Sequence, residues 1–185
     1  RILRTKQIIK MKKNLLILAF LSFINVYPQY SFGILYFKDG SHEMGFITVK
    51  SNNKIKFKKE TNLKPVTYDH TEVLGFNNND EYEYVVIKQK PVILKVETKG
   101  KISLYSDIVA GAGHFNQNGV FYGSELRIIY YIQHEDTIIV NNGRLKKKDT
   151  FLIDDCPELL KKINHRKIKR RNLVEIIKFY NKNCD

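Results

Sequence analysis

The chain has 185 residues, a formal net charge of +13 at pH 7 and only two cysteines. This length suits one domain with a real hydrophobic core, and two thiols without a C-x-x-C spacing exclude a thiolate zinc centre or a dithiol redox site. The charge is uneven. Residues 1–29 carry six basic and no acidic side chains, residues 30–155 carry 17 basic and 16 acidic ones, and the segment from Cys156 carries nine basic and three acidic ones. We therefore expect a nearly neutral domain with a basic tail, and no nucleic-acid partner.

Residues 11–29 have the layout of a secretory signal peptide. Two lysines precede a short apolar run at 15–24, which a polar residue and a proline then end. The run is about half of the ~20 apolar residues that a membrane-spanning helix needs, so an uncleaved anchor is the less favoured alternative. We expect cleavage between Tyr27 and Gly33, and we interpret residues 1–10 as an upstream extension. The mature protein is then exported, periplasmic or extracellular, without a transmembrane span.

Residues 30–155 have the patterns of antiparallel β-structure. Asp39-Gly40 separates two apolar runs and predicts a hairpin, because glycine accepts positive φ. Ile55 and Phe57 alternate with lysines, which is the period-2 pattern of a half-buried strand. The remaining strands are predicted at 66–68, 72–76, 81–88, 91–98, 101–106, 126–133 and 137–142.

The segment 107–125 contains four glycines and no sustained hydrophobic period. It is long for a connection, so we expect either a functional loop or a disordered one. Its sequence AGAGHFNQNG lacks the G-K-[ST] ending of a phosphate-binding loop and a following helix. A lid over a small ligand is the functional alternative for this loop, because long loops on rigid scaffolds often carry function.

Residues 156–185 predict a helical hairpin that packs on the same domain. Pro157 fits a first helical position, with Asp154 or Asp155 placed to cap it. Asn172 is placed to cap a second helix, whose apolar residues follow helical spacing. The predicted fold class is therefore α+β, mainly β: an antiparallel meander sheet, flat or strongly curved, followed by an αα-hairpin.

The two cysteines flank this hairpin. Cys156 precedes the first helix and Cys184 follows the second, and an antiparallel hairpin makes those two ends neighbours. A disulfide needs α-carbons roughly 4.4–6.8 Å apart, which this topology allows, and export supplies an oxidising compartment. We expect a Cys156–Cys184 disulfide; two free thiols are the alternative.

Few residues suggest chemistry. The five histidines show no metal-ligand spacing on one element, so no metal site, cofactor or catalytic residue is expected. His70 lies beside Asp69 and close to Glu72, which leaves a hydrolase as an alternative, although a polar turn is the simpler interpretation. The paired tyrosines of the strands are interpreted as packing.

The turn between the helices, NHRKIKRRN, has an unusually high density of positive charge. It concentrates five cationic side chains in six residues: Arg166, Lys167, Lys169, Arg170 and Arg171. Contact with an anionic surface, such as lipid headgroups, lipopolysaccharide or acidic polysaccharide, is the functional interpretation. A solvated turn is the alternative.

Several motifs, taken in order, resemble a group of uncharacterised exported proteins of Gram-negative bacteria. The matching stretches are KDGSHEMGFI, KIKF, EVLGF, VILKVETKGKISLY, IIYYI and the ending DCPELLKKI … IIKFYNKNC. The resemblance covers most of the mature chain and implies export, a β-rich body and a C-terminal helical hairpin. It carries no activity, ligand or catalytic residue.

These patterns lead to one main functional hypothesis. We expect an exported, non-enzymatic protein of the cell envelope that acts by contact with another protein or an anionic surface. The alternatives are a small-ligand-binding domain that uses 107–125 as a lid, and a hydrolase built on His70 and Asp69.

Overall fold

The strands of the body pair into one large antiparallel sheet. The computed structural model describes residues 30–110, 114–115, 121–123 and 125–184. The predicted leader and the extension before it lie outside the described residues. The strands are β1 (Ser31–Phe37), β2 (His42–Val49), β3 (Ile55–Lys58), β4 (Val66–Tyr68), β5 (Val73–Asn77), β6 (Glu81–Ile87), β7 (Lys90–Thr98), β8 (Ile102–Ala110), β9 (His114–Phe115), β10 (Phe121–Tyr122), β11 (Leu126–His134) and β12 (Thr137–Asn141). Ten of them pair in the order β12-β11-β8-β7-β6-β5-β1-β2-β3-β4, and β9 pairs with β10.

The predicted fold class, mainly β with C-terminal helices, is confirmed, but one pairing departs from a simple meander. The strand β5 pairs with β1 and β6, and it does not pair with β4, which precedes it in the chain. The new pairing begins where the Lys38 amide donates to the Glu72 carbonyl at 3.0 Å. As the first described strand, β1 has an edge that β2 leaves free, and β5 fills that edge.

Hydrogen bonds across the sheet show that it is strongly curved. In a flat sheet, β2 and β6 would be three strand spacings apart, about 14 Å. Yet Asn53, in the turn after β2, accepts a hydrogen bond from the Tyr84 hydroxyl on its carbonyl at 2.6 Å. Its side-chain oxygen also accepts from the Ile93 amide at 3.3 Å. The sheet must therefore roll until its early strands reach β6 and β7.

Glycines make this curvature possible where strands approach closely. A Cβ added at Gly45 would lie 2.4 Å from the Lys58 carbonyl oxygen and 2.7 Å from the Phe57 ring. One added at Gly75 would lie 2.0 Å from the Tyr82 carbonyl oxygen. Glycine inside a strand often marks such a bend or close approach.

Both faces of the sheet contribute to packing. Adjacent residues of a strand point to opposite faces, and on β7 both Ile93 and Leu94 are buried. Ile93 packs with the cluster of the early strands, which includes Leu35 and Phe76. Leu94 packs on the other face with Val85 and Tyr105.

One tight turn of the sheet was not expected from its sequence. The predicted hairpin at Asp39-Gly40 is confirmed, with Gly40 at a φ of 86°. A two-residue turn joins β6 to β7 at Lys88-Gln89, where φ is 48° and 65°. Two positive φ values define a type I′ turn, which strongly prefers Asn-Gly. Lysine and glutamine do not predict such a turn, so the pairing of β6 with β7 must offset the backbone strain at these two residues.

We therefore expect Lys88→Asn combined with Gln89→Gly to stabilise the protein by about 1–2 kcal/mol, because non-glycine residues are disfavoured in the left-handed region. Chemical denaturation measures the change. Lys88→Gln removes the same charge but keeps a residue other than glycine or asparagine at positive φ. Its free energy of unfolding should therefore stay within about 0.5 kcal/mol of the native value. Equal stability of the Asn-Gly variant and Lys88→Gln would contradict this account.

The C-terminal helices bury their apolar faces against the late strands. A 3₁₀ helix (Lys147–Ile153) precedes α1 (Pro157–Asn164) and α2 (Leu173–Asn183). Leu159 and Ile163 on α1, and Ile176 and Ile177 on α2, are buried in one cluster with residues of β8 and β11 such as Leu104. Helices this short are marginal alone, so this packing supplies their stability.

The predicted helix caps are wrong in their bonding. Cys156 and Asn172 occupy the N-cap positions, and neither makes a side-chain capping bond. Asn172 instead donates to the Glu175 carboxylate at 2.5 Å. Asp155 accepts a hydrogen bond from the Tyr180 hydroxyl at 2.8 Å. Burial, aided by this bond, raises the pKa of Tyr180 to about 12. Asp155 precedes the N-cap residue of α1, so its bond to Tyr180 links the start of α1 to α2.

The predicted disulfide is present. Cys156 and Cys184 are bonded, with their α-carbons 5.6 Å apart. Cys156 is buried and belongs to the cluster beneath the helices, while Cys184 packs against that cluster from its edge. The bond therefore joins the start of α1 to the residue that follows α2.

Candidate anion-binding site

The basic turn between α1 and α2 has a defined backbone. The amides of His165 and Arg166 donate to carbonyls of α1 at 3.0 Å, and the Lys167 amide donates to the Lys162 carbonyl at 2.9 Å. The Asn172 amide donates to the Lys169 carbonyl at 2.8 Å, just before α2. These bonds are local. The side chain of Ile168, in the middle of the turn, is buried in the core below it.

The five predicted cations lie on both sides of Ile168 in the sequence. Four of them are exposed and the fifth, Arg170, is half-buried. The ion pairs of the described residues include Lys162 with Glu158, at 3.3 Å on α1, but none involves any of the five cations. The positive charge of the turn is therefore not neutralised by neighbouring carboxylates in the part of the chain that the structure describes.

A cavity of about 540 Å³ lies beside the turn. Four of the five predicted cations line it; the residues of the wall are Arg144, Ile163, Asn164, Arg166, Ile168, Lys169, Arg170 and Arg171. No carboxylate is among them. Lys167 instead lines a neighbouring cavity of about 340 Å³ that also contains Glu158 and His165. The turn thus has a purely cationic side and a mixed side.

Arg144 is the residue of the candidate site that the sequence did not indicate. It follows β12, more than 20 residues before the turn in the chain, and Gly143 beside it has a φ of 82°. The buried side chain of Asn141 accepts a hydrogen bond from the Arg144 amide at 3.0 Å. The next amide, that of Leu145, donates to the Arg170 carbonyl at 2.8 Å. Glycine after a strand predicts a turn, but it does not show which distant segment that turn meets.

Arg170 is the least exposed cation at the cavity. Its Nη1 is shielded from solvent and has no hydrogen-bond partner in the described structure. A buried charged donor without a partner carries a desolvation penalty that nothing offsets. Several guanidinium groups line the same cavity and can hold an oxyanion, whose charge would offset part of that penalty.

The segment of His70 has the geometry of a polar turn. One Asp69 carboxylate oxygen accepts from the Thr71 hydroxyl at 2.6 Å and from the Thr71 amide at 3.0 Å. Those two bonds lower the pKa of Asp69, and the Lys54 ammonium group at 3.8 Å contributes to the same shift. The His70 ring packs edge-on against Tyr84, and no hydrogen bond joins His70 to Asp69 in the described chain. The acid–base pair of the hydrolase hypothesis has no geometric support from these contacts.

The predicted loop at 107–125 is partly strand. β8 continues through Ala110, which pairs with Leu126, and the short strands β9 and β10 pair further on. The irregular pattern expected there is therefore wrong for these residues; the rest of the segment, 111–113, 116–120 and 124, lies outside the described residues. Ile108 is 66% exposed and Leu126 is 74% exposed. These ends of β8 and β11 are held by strand pairing and stay exposed. Their sequence therefore does not show the alternation of apolar and polar residues that marks a half-buried strand.

A further cavity, of about 220 Å³, lies near these ends of β8 and β11 and is lined in part by Asp107 and Lys95. Three of its polar side chains are already paired. The Ser106 hydroxyl donates to Glu97 at 2.7 Å, and Lys95 lies 2.8 Å from Asp80. The lid hypothesis would require a ligand to compete with these bonds, so the cationic cavity is the stronger candidate.

The fold and the site define a class of protein: a curved antiparallel sheet with a disulfide-bonded helical hairpin and an unneutralised basic turn. No helix of the described residues is long and apolar enough to cross a membrane. The same residues contain no cluster of three or more potential metal ligands. No family model, curated protein or solved structure matches the chain. The resemblance to exported proteins stays a prediction.

Proposed function

We propose that this protein is an exported, non-enzymatic module of the cell envelope that acts by contact with an anionic surface. The observation that carries the proposal is the basic turn, whose five cations have no carboxylate partner among the described residues. The disulfide is consistent with an oxidising compartment outside the cytoplasm. The predicted leader gives the route to that compartment.

The expected contact is electrostatic and therefore sensitive to salt. A basic side chain near an anionic membrane contributes about 1 kcal/mol, and the attraction falls off over a Debye length of about 8 Å at physiological ionic strength. The turn places its cations within six residues, on a backbone held by its own hydrogen bonds. Cations on a fixed backbone lose less backbone entropy on binding than cations on a flexible tail do.

We expect a variant with glutamine at all five positions (Arg166, Lys167, Lys169, Arg170 and Arg171) to lose association with envelope fractions by roughly 100-fold or more. Cosedimentation of the purified protein with envelope fractions, repeated at low and high salt, measures the loss. The native protein should dissociate as salt rises.

A matched control removes the same charge from the strands and turns of the β-rich body. It carries glutamine at Lys38, Lys56, Lys64, Lys88 and Lys90, which make no ion pair in the described structure. Its association should stay close to that of the native protein. Equal binding by the two variants, with both folded by circular dichroism, would contradict a role for the turn.

A further inference from the structure

We propose that the cavity beside the basic turn is a binding site for a phosphomonoester group. This inference deepens the proposed function, because it replaces a diffuse attraction with a site for one chemical group. The cavity of about 540 Å³ is lined by four arginines and one lysine, with Ile163 and Ile168 as apolar wall. A volume of this size holds a phosphate together with part of the molecule that carries it.

The backbone of the site is positioned before any ligand binds. Arg144 and Arg170 come from two separate segments, and the Leu145 amide holds those segments together through the Arg170 carbonyl at 2.8 Å. Asn141, which is buried, fixes the backbone of Arg144 from below at 3.0 Å. Ile168 anchors the turn between its cations. The backbone that carries these cations therefore loses little entropy on binding an anion.

Arg170 has hydrogen-bonding capacity that the described chain does not use. Its Nη1 is buried and has no acceptor within the described chain. The guanidinium group donates five hydrogen bonds in a planar fork that matches the oxygens of phosphate and carboxylate. Arg170 lines the cavity and is half-buried, so its charge is desolvated more than those of the exposed cations, and an oxyanion in the cavity would offset that cost.

The charge of the cavity favours a phosphomonoester over other anions. A phosphomonoester carries a charge of about −1.5 to −2 at pH 7 and three strong acceptor oxygens. A carboxylate has one charge and two oxygens, and a phosphodiester has one charge. Five cations without a carboxylate among the lining residues favour the ligand with the greater charge.

The test uses variants that separate the cavity from the turn as a whole. Arg144→Gln and Arg170→Gln each remove one charge from the cavity wall. Lys167→Gln removes one charge from the same turn but outside that wall, since Lys167 lines the neighbouring cavity. Arg144→Lys keeps the charge and loses the planar fork. Thermal unfolding of each variant shows that it is folded before binding is measured.

Two probes are compared. Isothermal titration with inorganic phosphate reports the soluble ligand. Flotation with phosphatidylcholine vesicles that contain either phosphatidic acid, a phosphomonoester, or phosphatidylglycerol, a phosphodiester, at equal surface charge reports the lipid headgroup. We expect measurable phosphate binding, preference for phosphatidic acid, and a loss of about tenfold for Arg144→Gln and Arg170→Gln, as for a hydrogen bond to a charged group. Lys167→Gln should lose clearly less, and Arg144→Lys should lose the preference while it keeps general vesicle binding.

The outcomes separate this inference from the proposed function. Equal binding to both anionic vesicles, with Lys167→Gln as damaging as Arg144→Gln and no phosphate binding, would overturn the phosphomonoester site and leave the surface-contact proposal standing. Phosphate binding that depends on Arg144 and Arg170, without vesicle or envelope association, would support the site with a soluble ligand and overturn the surface contact. Competition of free phosphate with phosphatidic acid vesicles would support both.

Discussion

Removing the disulfide is expected to lower the free energy of unfolding by about 3–4 kcal/mol, according to the chain-entropy model for a loop of this size. The bond joins Cys156 and Cys184, which are 28 positions apart. Most of the effect comes from the unfolded chain, which regains the freedom to separate these ends. For a domain of this size, a loss of that magnitude is a large part of the total stability.

The measurement is urea or guanidinium unfolding of the variant with Cys156→Ala and Cys184→Ala. Alanine avoids placing a hydroxyl in the buried site of Cys156. The native protein under reducing conditions is the matched control, because it differs from the oxidised one only by the bond and its two hydrogens. A difference below about 1 kcal/mol between oxidised and reduced protein would show that packing alone holds the tail.

The reduced protein should still fold, because the helices are held by more than the bond. Leu173, Ile176, Ile177 and Tyr180 of α2 are all buried. They pack with Ile102, Leu104 and Ile132 of the sheet. Each large buried aliphatic side chain contributes about 1.5–3 kcal/mol through burial. We therefore expect the native circular dichroism spectrum after reduction, with an earlier unfolding midpoint.

The disulfide and most strands were predictable because their causes are local. Alternation of Ile55 and Phe57 with lysines reports one buried face directly, and those two residues are buried. The cysteines could be paired because an antiparallel hairpin has only one way to bring its ends together. Pro157 at the first helical position similarly located the start of α1.

Features that depend on distant segments were not predictable. The pairing of β5 with β1 depends on which edge is free, and a strand pattern does not encode that. Lys88-Gln89 adopts a type I′ turn because the register of β6 and β7 leaves only two residues to connect them. Asp155 bonds to the distant Tyr180 hydroxyl and Asn172 bonds to the Glu175 carboxylate, so neither side chain caps the amides of a helix.

The candidate site divides in the same way. Arg166, Lys169, Arg170 and Arg171 were evident as a run of charge, and the structure brings all four to one cavity. Arg144 joins them only through the contact between the loop after β12 and the turn. The buried Nη1 of Arg170 has no signature in sequence at all. Charge patterns therefore indicated the surface, and only the fold indicated the cavity.

The second large effect is expected at Asn181, whose side chain replaces a strand partner at the end of the sheet. Its carboxamide oxygen accepts from the Ile102 amide at 3.0 Å, and its amide group donates to the Ile102 carbonyl at 2.7 Å. Ile102 is fully buried. Asn181→Ala should leave both main-chain groups without partners and lower the free energy of unfolding by about 2–4 kcal/mol.

Asn183→Ala is the matched control, measured by the same denaturation. Asn183 also donates to a main-chain carbonyl, that of Phe179 at 2.8 Å, but the bond is exposed and lies within α2. Its loss should change the free energy of unfolding by no more than about 0.5 kcal/mol. Similar losses for the two variants would contradict a special role for the Asn181 pair.

Gly100 gives an independent test of the same contact. A Cβ added there would lie 2.5 Å from the Asn181 side-chain carbon. Gly100→Ala should therefore displace the carboxamide and break its bonds to Ile102. In the Asn181→Ala background that clash is absent, so the glycine substitution should destabilise much less than it does in the native protein. A cycle of the two variants then measures a coupling of about 1–3 kcal/mol; additive losses would mean that the carboxamide is not what couples α2 to the first residue of β8.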